Sequence, residues 1–269
     1  MIYKKALTFI KRDFIIATSY RFAFLLQIFG ILFSVLTFYF LARMFGDTAI
    51  PYLEPYGGDY FSFVLIGIAF STYLMTGLGS FSGSIRNEQM MGTLEAMLVT
   101  PTRTSLIIVL YALWNFIFTS IRVLAYLLVG VFLFDVNMGN ANIFAALITL
   151  ILTIICFSSL GILSASFIMV LKQGDPINWA FSAVSGLLGG VFYPITVLPQ
   201  WLQNFSHILP ITYSLRAMRH ALLQGYSLEA LAPDIVALAL FSMVMLPLGI
   251  VAFKFAVRRA KEDGSLIQY

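Results

Sequence analysis

Long stretches without a charged side chain limit what this chain can fold into more than any other feature of its sequence. Residues 22–42, 60–85 and 235–253 are such stretches, each bounded on both sides by charged residues. A helix needs about 20 consecutive, mostly apolar residues to cross the hydrocarbon core of a bilayer, and each stretch is long enough. Soluble domains contain about one quarter charged residues, whereas this chain has 10% charged and 60% hydrophobic residues. The sequence therefore predicts an all-α integral membrane protein.

Three further segments bring the predicted number of transmembrane helices to six. Residues 104–134 are interrupted only by Arg122, and residues 136–171 are uncharged. Residues 176–215 are uncharged as well but contain several internal prolines. Because proline interrupts a helix, only the part of this stretch up to about Tyr193 is predicted to be one continuous helix. We expect residues 1–269 to form a single transmembrane domain.

The distribution of positive charge predicts the orientation of the six helices. Short cytoplasmic segments of membrane proteins carry an excess of lysine and arginine. With the N-terminus inside, 12 of these residues are cytoplasmic, 3 are external and Arg122 lies within a span. We therefore expect both termini to be cytoplasmic. The cytoplasmic set is Lys4, Lys5, Lys11, Arg12, Arg21, Arg86, Arg103, Lys172, Lys254, Arg258, Arg259 and Lys261, and the external set is Arg43, Arg216 and Arg219.

Residues 1–20 are predicted to form an amphipathic helix in the cytoplasmic interface of the membrane. Leu7, Ile10 and Phe14 share one helical face, while Lys5 and Arg12 share another. The alternative is a simple basic flank that fixes the topology.

The sequence offers no constellation of catalytic or metal-binding residues. An ATPase phosphate loop needs a Gly-Lys pair, and this chain contains none. His207 and His220 are 13 residues apart without carboxylates in metal-ligand spacing, and Cys156 is the single cysteine. We therefore expect no catalytic residue, no metal and no cofactor bound by this chain. The net charge of +4 follows from the topology and calls for no nucleic-acid partner.

The segment between the second and third predicted spans has the pattern of a short amphipathic helix over residues 86–100. Glu88 and Glu95 fall on one face, and Met90, Leu94 and Met97 fall on the opposite face. The following proline marks the end of this helix. Two interpretations fit the pattern: a surface helix that caps the bundle, or a helix that docks into a groove on a partner.

This segment resembles the R-x-E-x-x-x-G-T-L-E-x-L-x-x-T-P pattern of type 2 ATP-binding-cassette (ABC) transporter permeases. One position departs from the pattern, with Met97 in place of leucine. Residues 189–213, rich in glycine, proline and aromatic residues, are also similar to the region after the fifth span in that family. The positions that match the pattern are Arg86, Glu88, Gly92, Thr93, Leu94, Glu95, Thr100 and Pro101.

The resemblance implies a permease subunit of an exporter in the inner (plasma) membrane. Two permease chains would form the membrane domain, surrounded by membrane lipid, and would bind two cytoplasmic ATPase subunits that hold ATP and magnesium. The loop helix would be the coupling helix. Its ATPase-coupling residues would be Arg86, Glu88, Gly92, Thr93, Leu94 and Glu95.

Residues 194–225 are predicted to form two short helices at the outer side. Pro199 suits the start of a helix through about Leu209, and a second helix is expected from about Thr212 to Gly225. In the family this region is a re-entrant hairpin at the outer end of the pathway, and the alternative is an external loop resting on the membrane. The expected outer gate residues are Tyr193, Pro194, Pro199 and Pro210.

Arg122 is the one charged residue within a predicted span. Counted from Thr104 at a rise of about 1.5 Å per residue, it lies about 27 Å along the helix, near the outer boundary. Two roles follow: a side chain that snorkels to the headgroups, or one that lines the translocation path and attracts anions.

Two other classes of function compete with an exporter subunit. A self-sufficient secondary transporter or channel would need ion-coordinating groups within the spans, and no acidic residue lies in one. A membrane assembly scaffold is the second alternative. The sequence does not separate drugs, lipids, polysaccharides and ions as substrates.

Labelling of single cysteines tests the topology. With Cys156 replaced by serine, a Gln89→Cys variant is expected to react with a membrane-impermeant maleimide in inverted vesicles and to stay unlabelled in intact cells. A Glu229→Cys variant is expected to show the reverse. Labelling of position 89 from outside would contradict the assigned orientation.

Overall fold

The computed structural model describes residues 21–45, 50–90, 104–171 and 176–262, together with residues 11, 14, 15 and 19. Within these residues all regular secondary structure is helical. Most of the predicted interfacial helix at residues 1–20 lies outside the described residues. The α-helices are α1 Arg21–Phe45, α2 Ile50–Leu53, α3 Tyr60–Met90, α4 Thr104–Phe134, α5 Ile143–Leu171, α6 Pro176–Leu188, α7 Gln200–Ser206, α8 Pro210–Leu223 and α9 Ala232–Glu262.

Five of these helices are long and apolar enough to cross a membrane. They are α1, α3, α4, α5 and α9, and their apolar stretches contain 21 to 28 residues. All five fall where the spacing of charged residues predicts a span, because the charges that bound each uncharged stretch cannot enter hydrocarbon cheaply. The prediction of an all-α membrane protein is confirmed for the described residues.

The sixth predicted transmembrane helix is not confirmed. Helix α6 has 13 residues and ends at Leu188, before Tyr193, so it is about 20 Å long, short of the roughly 30 Å of a bilayer core. The helix ends where Gly190 adopts a φ of +75°, a conformation that glycine adopts readily. A Cβ on Gly189 would lie 2.5 Å from Ile211 of α8, so the chain also needs glycine there for close packing.

The segment containing α6 nevertheless returns the chain across the bundle. Asn178 of α6 lies beside Gly79 of α3, and Val191 lies against Gly67, about 18 Å further along α3. From there the chain continues through α7 and α8 to the start of α5. The backbone N–H of Asn142, the residue before α5, donates to the Ala221 carbonyl near the end of α8 at 2.8 Å. We call this end of the bundle the Asn142 end and the opposite one the Arg86 end.

Contacts between helices fix their relative directions. Thr76 and Tyr73 of α3 bond to Thr119 and Ser120 of α4, respectively, so these helices are antiparallel. Helices α5 and α9 run parallel, because their starts lie together: Asn142, just before α5, donates to the carbonyl of Tyr226, shortly before α9. The directions place the start of α1 and the end of α9 together at the Arg86 end.

Helix α3 is the centre of the bundle and α1 is at its edge. Within the apolar stretches, 72% of the α3 residues are buried, compared with 11% of the α1 residues. Helices α3 and α5 cross at Gly77 and Gly161, where a Cβ on Gly161 would overlap the Gly77 carbonyl oxygen. Such close approach of backbones is how small residues drive helix association in membranes.

Glycines spaced four residues apart in the sequence, such as Gly79 and Gly83, do not make this contact. A Cβ on Gly83 or Gly186 would meet no described atom within 4 Å, and one on Gly79 would meet only Asn178 at 3.6 Å. Spacing along one helix therefore did not identify which glycines pack closely, because the partner helix decides that.

The segment after Val191 contains the two short helices that its prolines predict. Pro199 precedes α7 and Pro210 is the first residue of α8. Helix α8 ends before Gly225, which has a φ of +70°. It runs antiparallel to α5, and the Thr153 and Ser214 hydroxyls of the two helices meet at 2.8 Å. Because Pro210 is 11 residues before Ala221, which lies at Asn142, α8 begins about 16 Å inside the bundle.

Substitution of Gly161 tests the α3–α5 crossing. Gly161→Ala is expected to destabilise the protein by about 1–3 kcal/mol, because the added methyl group forces two backbones apart. The measurement is thermal unfolding in detergent, followed by loss of monodisperse elution. Gly83→Ala is the matched control, expected to be neutral or slightly stabilising because alanine favours helix over glycine. Equal stability of the two variants would contradict the assigned crossing.

Candidate functional site

The predicted coupling segment begins on the last turns of α3. Helix α3 continues through Met90, so Arg86 and Glu88 extend the second span rather than start a separate helix. Arg86 is exposed at this end. The side chain of Glu88 and the whole of Gly92, Thr93, Leu94 and Glu95 lie outside the described residues. The short amphipathic helix predicted for residues 86–100 stays a prediction.

At the opposite end, Arg219 of α8 is buried in the bundle. Its side chain is only 2% exposed. Its Nε donates to the Phe63 carbonyl and its Nη2 donates to the Val191 carbonyl, each at 3.1 Å. The guanidinium also lies over the Phe63 ring, 3.4 Å from its centroid. Arg219 thus ties α8 to both α3 and the turn that follows α6.

Gly67 makes room for this arginine. A Cβ at this position would overlap the Val191 carbonyl oxygen and lie 2.6 Å from Arg219 Nη2. The planar guanidinium presents several donors in a fixed fork. To accept from the same fork, the Val191 carbonyl must lie close to α3, which carries the Phe63 carbonyl. The close approach of Val191 to Gly67 satisfies that requirement.

A second arginine of α8 pairs with a buried carboxylate. Arg216 Nε donates to both oxygens of Asp234, at 2.9 and 3.1 Å, and Nη2 donates to one of them as well. Asp234 lies in the first turn of α9, where the helix dipole also favours negative charge. This pair fixes α8 against the start of the last span.

An aromatic stack lies beside these charges at the Asn142 end. The His220 ring lies between those of Tyr56 and Tyr226, with centroid distances of 5.1 and 4.7 Å and interplanar angles of 22° and 12°. His220 Nδ1 and Gln224 Oε1 are 2.6 Å apart. Burial raises the pKa of Tyr56, opposed by the positive charge of Arg219. The stack joins the loop before α3 to the end of α8.

The four predicted gate residues occupy the boundaries of the short helical segments. The Tyr193 hydroxyl donates to the Leu187 carbonyl of α6. Pro194 is buried and caps the 3₁₀ turn Ile195–Val197, while Pro199 and Pro210 stand at the starts of α7 and α8. Gln203 of α7 closes the turn before this helix by donating to the Leu198 carbonyl at 2.7 Å. The four predicted residues therefore shape the turns on either side of α7.

Arg122 lies in the middle third of α4. Helix α4 has 31 residues, Thr104–Phe134, and Arg122 is the nineteenth. Its guanidinium is directed back toward Phe118, 5.8 Å from the ring centroid. With the Gln27 amide oriented so that its oxygen faces the guanidinium, Arg122 Nε donates to that oxygen at 2.9 Å, as does Nη2. The position of Arg122 relative to the membrane boundaries stays a prediction.

The sequence contains a signal for the buried arginines that composition alone did not reveal. Arg216 and Arg219 follow an uncharged stretch of 40 residues, 176–215, and are three residues apart on one helix. Residues at this spacing share a helical face. A charged pair on one face of an otherwise apolar segment indicates a buried polar contact as readily as an external loop.

The described helices define an all-α membrane protein in which the start of α1 and the end of α9 lie at one end of the bundle, and the buried helix α8 lies at the opposite end. A model of the family described as ABC-2 type transporter matches residues 5–223, and the chain belongs to that family. The resemblance predicted from the residues at the end of α3 is thereby confirmed.

Several curated proteins are similar to this chain. The inner membrane transport permease YadH of Escherichia coli strain K12 is 29% identical over 173 residues, which cover 63% of this chain and 66% of YadH. The probable multidrug ABC transporter permease YbhR of the same strain is 25% identical over 147 residues, 54% of this chain and 39% of YbhR. ABC transporter G family member 20 of Dictyostelium discoideum is 25% identical over 148 residues, 55% of this chain and 20% of that protein.

Replacement of the buried arginine tests its structural role. Arg219→Lys is expected to destabilise the protein by about 1–3 kcal/mol, because an ammonium cannot serve both carbonyls in the geometry of the fork and leaves one buried acceptor unpaired. The measurement is thermal unfolding in detergent. Arg43→Lys, at an exposed end of α1, is the control and is expected to change stability by less than about 0.5 kcal/mol. Equal stability of the two variants would refute the role of the fork.

Proposed function

We propose that this chain is the permease subunit of an ATP-driven exporter, which forms a translocation pathway as a dimer and couples to separate cytoplasmic ATPase subunits. The observation that carries the proposal is the family match over residues 5–223. The names of two relatives support it, since YadH is named an inner membrane transport permease and YbhR a probable multidrug ABC transporter permease. The proposed location is the inner membrane.

The proposed orientation places both termini in the cytoplasm. The bias of 12 positive residues against 3 supports this orientation. The common position of the start of α1 and the end of α9 supports an even number of crossings. In this orientation the Arg86 end faces the cytoplasm, and the Asn142 end, with its arginines and stacked rings, faces outward.

The α7–α8 hairpin is proposed to be re-entrant and to form the outer gate. Non-helical backbone at membrane depth is tolerated only where it is buried in protein or lines a water-filled cavity. The chain after Leu188 is non-helical, and its Val191 carbonyl finds a donor in Arg219. Tyr193, Pro194, Pro199 and Pro210 set the turns of this hairpin and are its proposed gate residues, and Arg122 is the proposed residue of the translocation path.

The proposed coupling segment connects the ATPase subunits to the centre of the bundle. It comprises Arg86, Glu88, Gly92, Thr93, Leu94 and Glu95. Two copies of the ATPase, which bind ATP and magnesium, would contact this segment on the two protomers. Because the segment joins α3 to α4, its displacement acts directly on the most buried helix. A shift of the population between inward-open and outward-open states of the membrane domain would follow.

A double substitution tests the coupling role. The purified chain alone is expected to hydrolyse no ATP. Glu88→Ala with Glu95→Ala is expected to lower substrate-stimulated ATP hydrolysis by the reconstituted complex by about ten-fold, the effect of losing roughly 1.4 kcal/mol of coupling. The ATPase is the phosphate-loop subunit that co-purifies with the tagged chain, and hydrolysis is measured at equal assembly of the two subunits.

Glu262→Ala is the matched control, since Glu262 is an exposed acidic residue at the end of α9 whose ion pair is with Arg258 of the same helix. It is expected to leave stimulated hydrolysis unchanged. Unchanged stimulation in the double variant would remove the two carboxylates from the coupling mechanism. In a separate assay, the reconstituted complex is offered a lipid, a polysaccharide and a drug, and the one that it transports identifies the substrate class.

A further inference from the structure

Helices α1 and α4 run side by side in the same direction and touch at two levels. Near the Asn142 end, the rings of Tyr39 and Phe134 are 4.6 Å apart. The second contact is between Gln27 and Arg122. Each contact is 12 residues from the other along its own helix, so the Gln27–Arg122 pair lies about 18 Å below the aromatic contact.

The position of Trp114 indicates how far the Gln27–Arg122 pair lies from the membrane interface at the Arg86 end. Trp114 is eight residues before Arg122, which corresponds to about 12 Å along α4. Its ring packs edge-on against Phe14, a residue of the segment before α1. Tryptophan is enriched at the membrane interface. With Trp114 at one interface, the guanidinium lies about 12 Å inside it, within the hydrocarbon region.

The charge of Arg122 has no acidic partner among the described residues. Two other arginines are ion-paired there, Arg216 with Asp234 and Arg258 with Glu262. Gln27 is neutral, so its bond to Arg122 orients the guanidinium without cancelling its charge. Arginine stays protonated in proteins, and an uncompensated charge inside a membrane is costly and is typical of a functional position. An anion from outside this chain would supply the missing compensation.

The pair is accessible from the side of the bundle. Arg122 is only partly buried, and Ile121 beside it is 54% exposed. On α1, Phe29 is 66% exposed, and a Cβ on Gly30 would meet no described atom within 4 Å. Gly30 is three residues from Gln27 and so shares its side of the helix. Open space and apolar side chains therefore adjoin the polar pair.

From these observations we propose that Arg122 and Gln27 bind the anionic headgroup, a phosphate or carboxylate, of an amphiphile that enters laterally between α1 and α4. The guanidinium neutralises the headgroup, and the Gln27 amide oxygen holds the guanidinium in place between the two helices. The acyl chain lies against the exposed apolar faces of the two helices. This proposal rests on the proposed transport function, because it names the class of molecule that the translocation path accepts.

The test measures binding of dodecyl phosphate to the full-length chain purified in dodecyl maltoside, counted by native mass spectrometry, with dodecanol as the uncharged probe. The wild-type chain is expected to bind dodecyl phosphate saturably and dodecanol weakly. Arg122→Gln is expected to lower the affinity by about ten-fold or more, as for loss of a charged hydrogen-bonding partner. Gln27→Leu is expected to lower the affinity by a smaller factor. The affinity of Arg122→Lys is expected to lie between those of the wild type and Arg122→Gln, because lysine keeps the charge without the fork.

Arg43→Gln is the matched control, since it removes a positive charge from the end of α1, and it is expected to leave the affinity within about two-fold. Competition with phosphatidylglycerol distinguishes the two sources of such a headgroup. Displacement by this lipid identifies a resident bilayer lipid as the ligand, and failure to displace identifies a single-chain cargo; either result supports the site.

Two results would overturn the proposal: no saturable binding of dodecyl phosphate by the wild type, or equal affinity of the wild type and Arg122→Gln. Monodisperse elution and thermal unfolding report whether each variant is folded. If Arg122→Gln does not fold, the wild type is compared with Arg122→Lys and Gln27→Leu, and equal affinity of all three refutes the site. The assay contains no ATPase, so failure of the coupling proposal would leave its outcome unaffected.

Discussion

The close crossing of α3 and α5 is the contact on which the rest of the bundle depends. Helices in a membrane gain little from the hydrophobic effect when they associate, so packing and hydrogen bonding must hold them together. At Gly77 and Gly161 the two backbones touch without side chains between them. Helix α3 also packs against α4, to which it is joined by paired hydroxyls. Helix α5 packs against α8 and α9. A wider separation of α3 and α5 would disturb all of these contacts.

The buried charges at the Asn142 end compensate for an interrupted helix. A chain that leaves the helical conformation inside a membrane frees backbone carbonyls that must find other donors. Val191 is such a residue, and Arg219 supplies its donor while also reaching Phe63 of α3. Arg219 and Arg216 thus anchor α8 on both sides.

The parts of this fold that the sequence predicted are those determined locally. The five long helices follow from the spacing of charged residues, and α7 and α8 follow from the positions of Pro199 and Pro210. The early end of α6 was missed because Gly189 and Gly190 stand in an apolar run, where their effect depends on the packing of Ile211. The partners of Arg219 were missed because one of them is 156 residues away in the chain, and no local pattern records such a distance.

The hydroxyl pairs between α3 and α4 link the predicted coupling segment to Arg122. Thr76 with Thr119 and Tyr73 with Ser120 bridge the two helices near the middle of their length, and Arg122 follows Ser120 by two residues on α4. The segment between α3 and α4 joins the same two helices at the Arg86 end. A force on that segment would therefore move α3 and α4 together, since separating them breaks buried hydrogen bonds, each worth about 1 kcal/mol. Helix α1 has few buried contacts to follow that motion. The first interface to change would then be the one between α1 and α4, which contains Gln27 and Arg122.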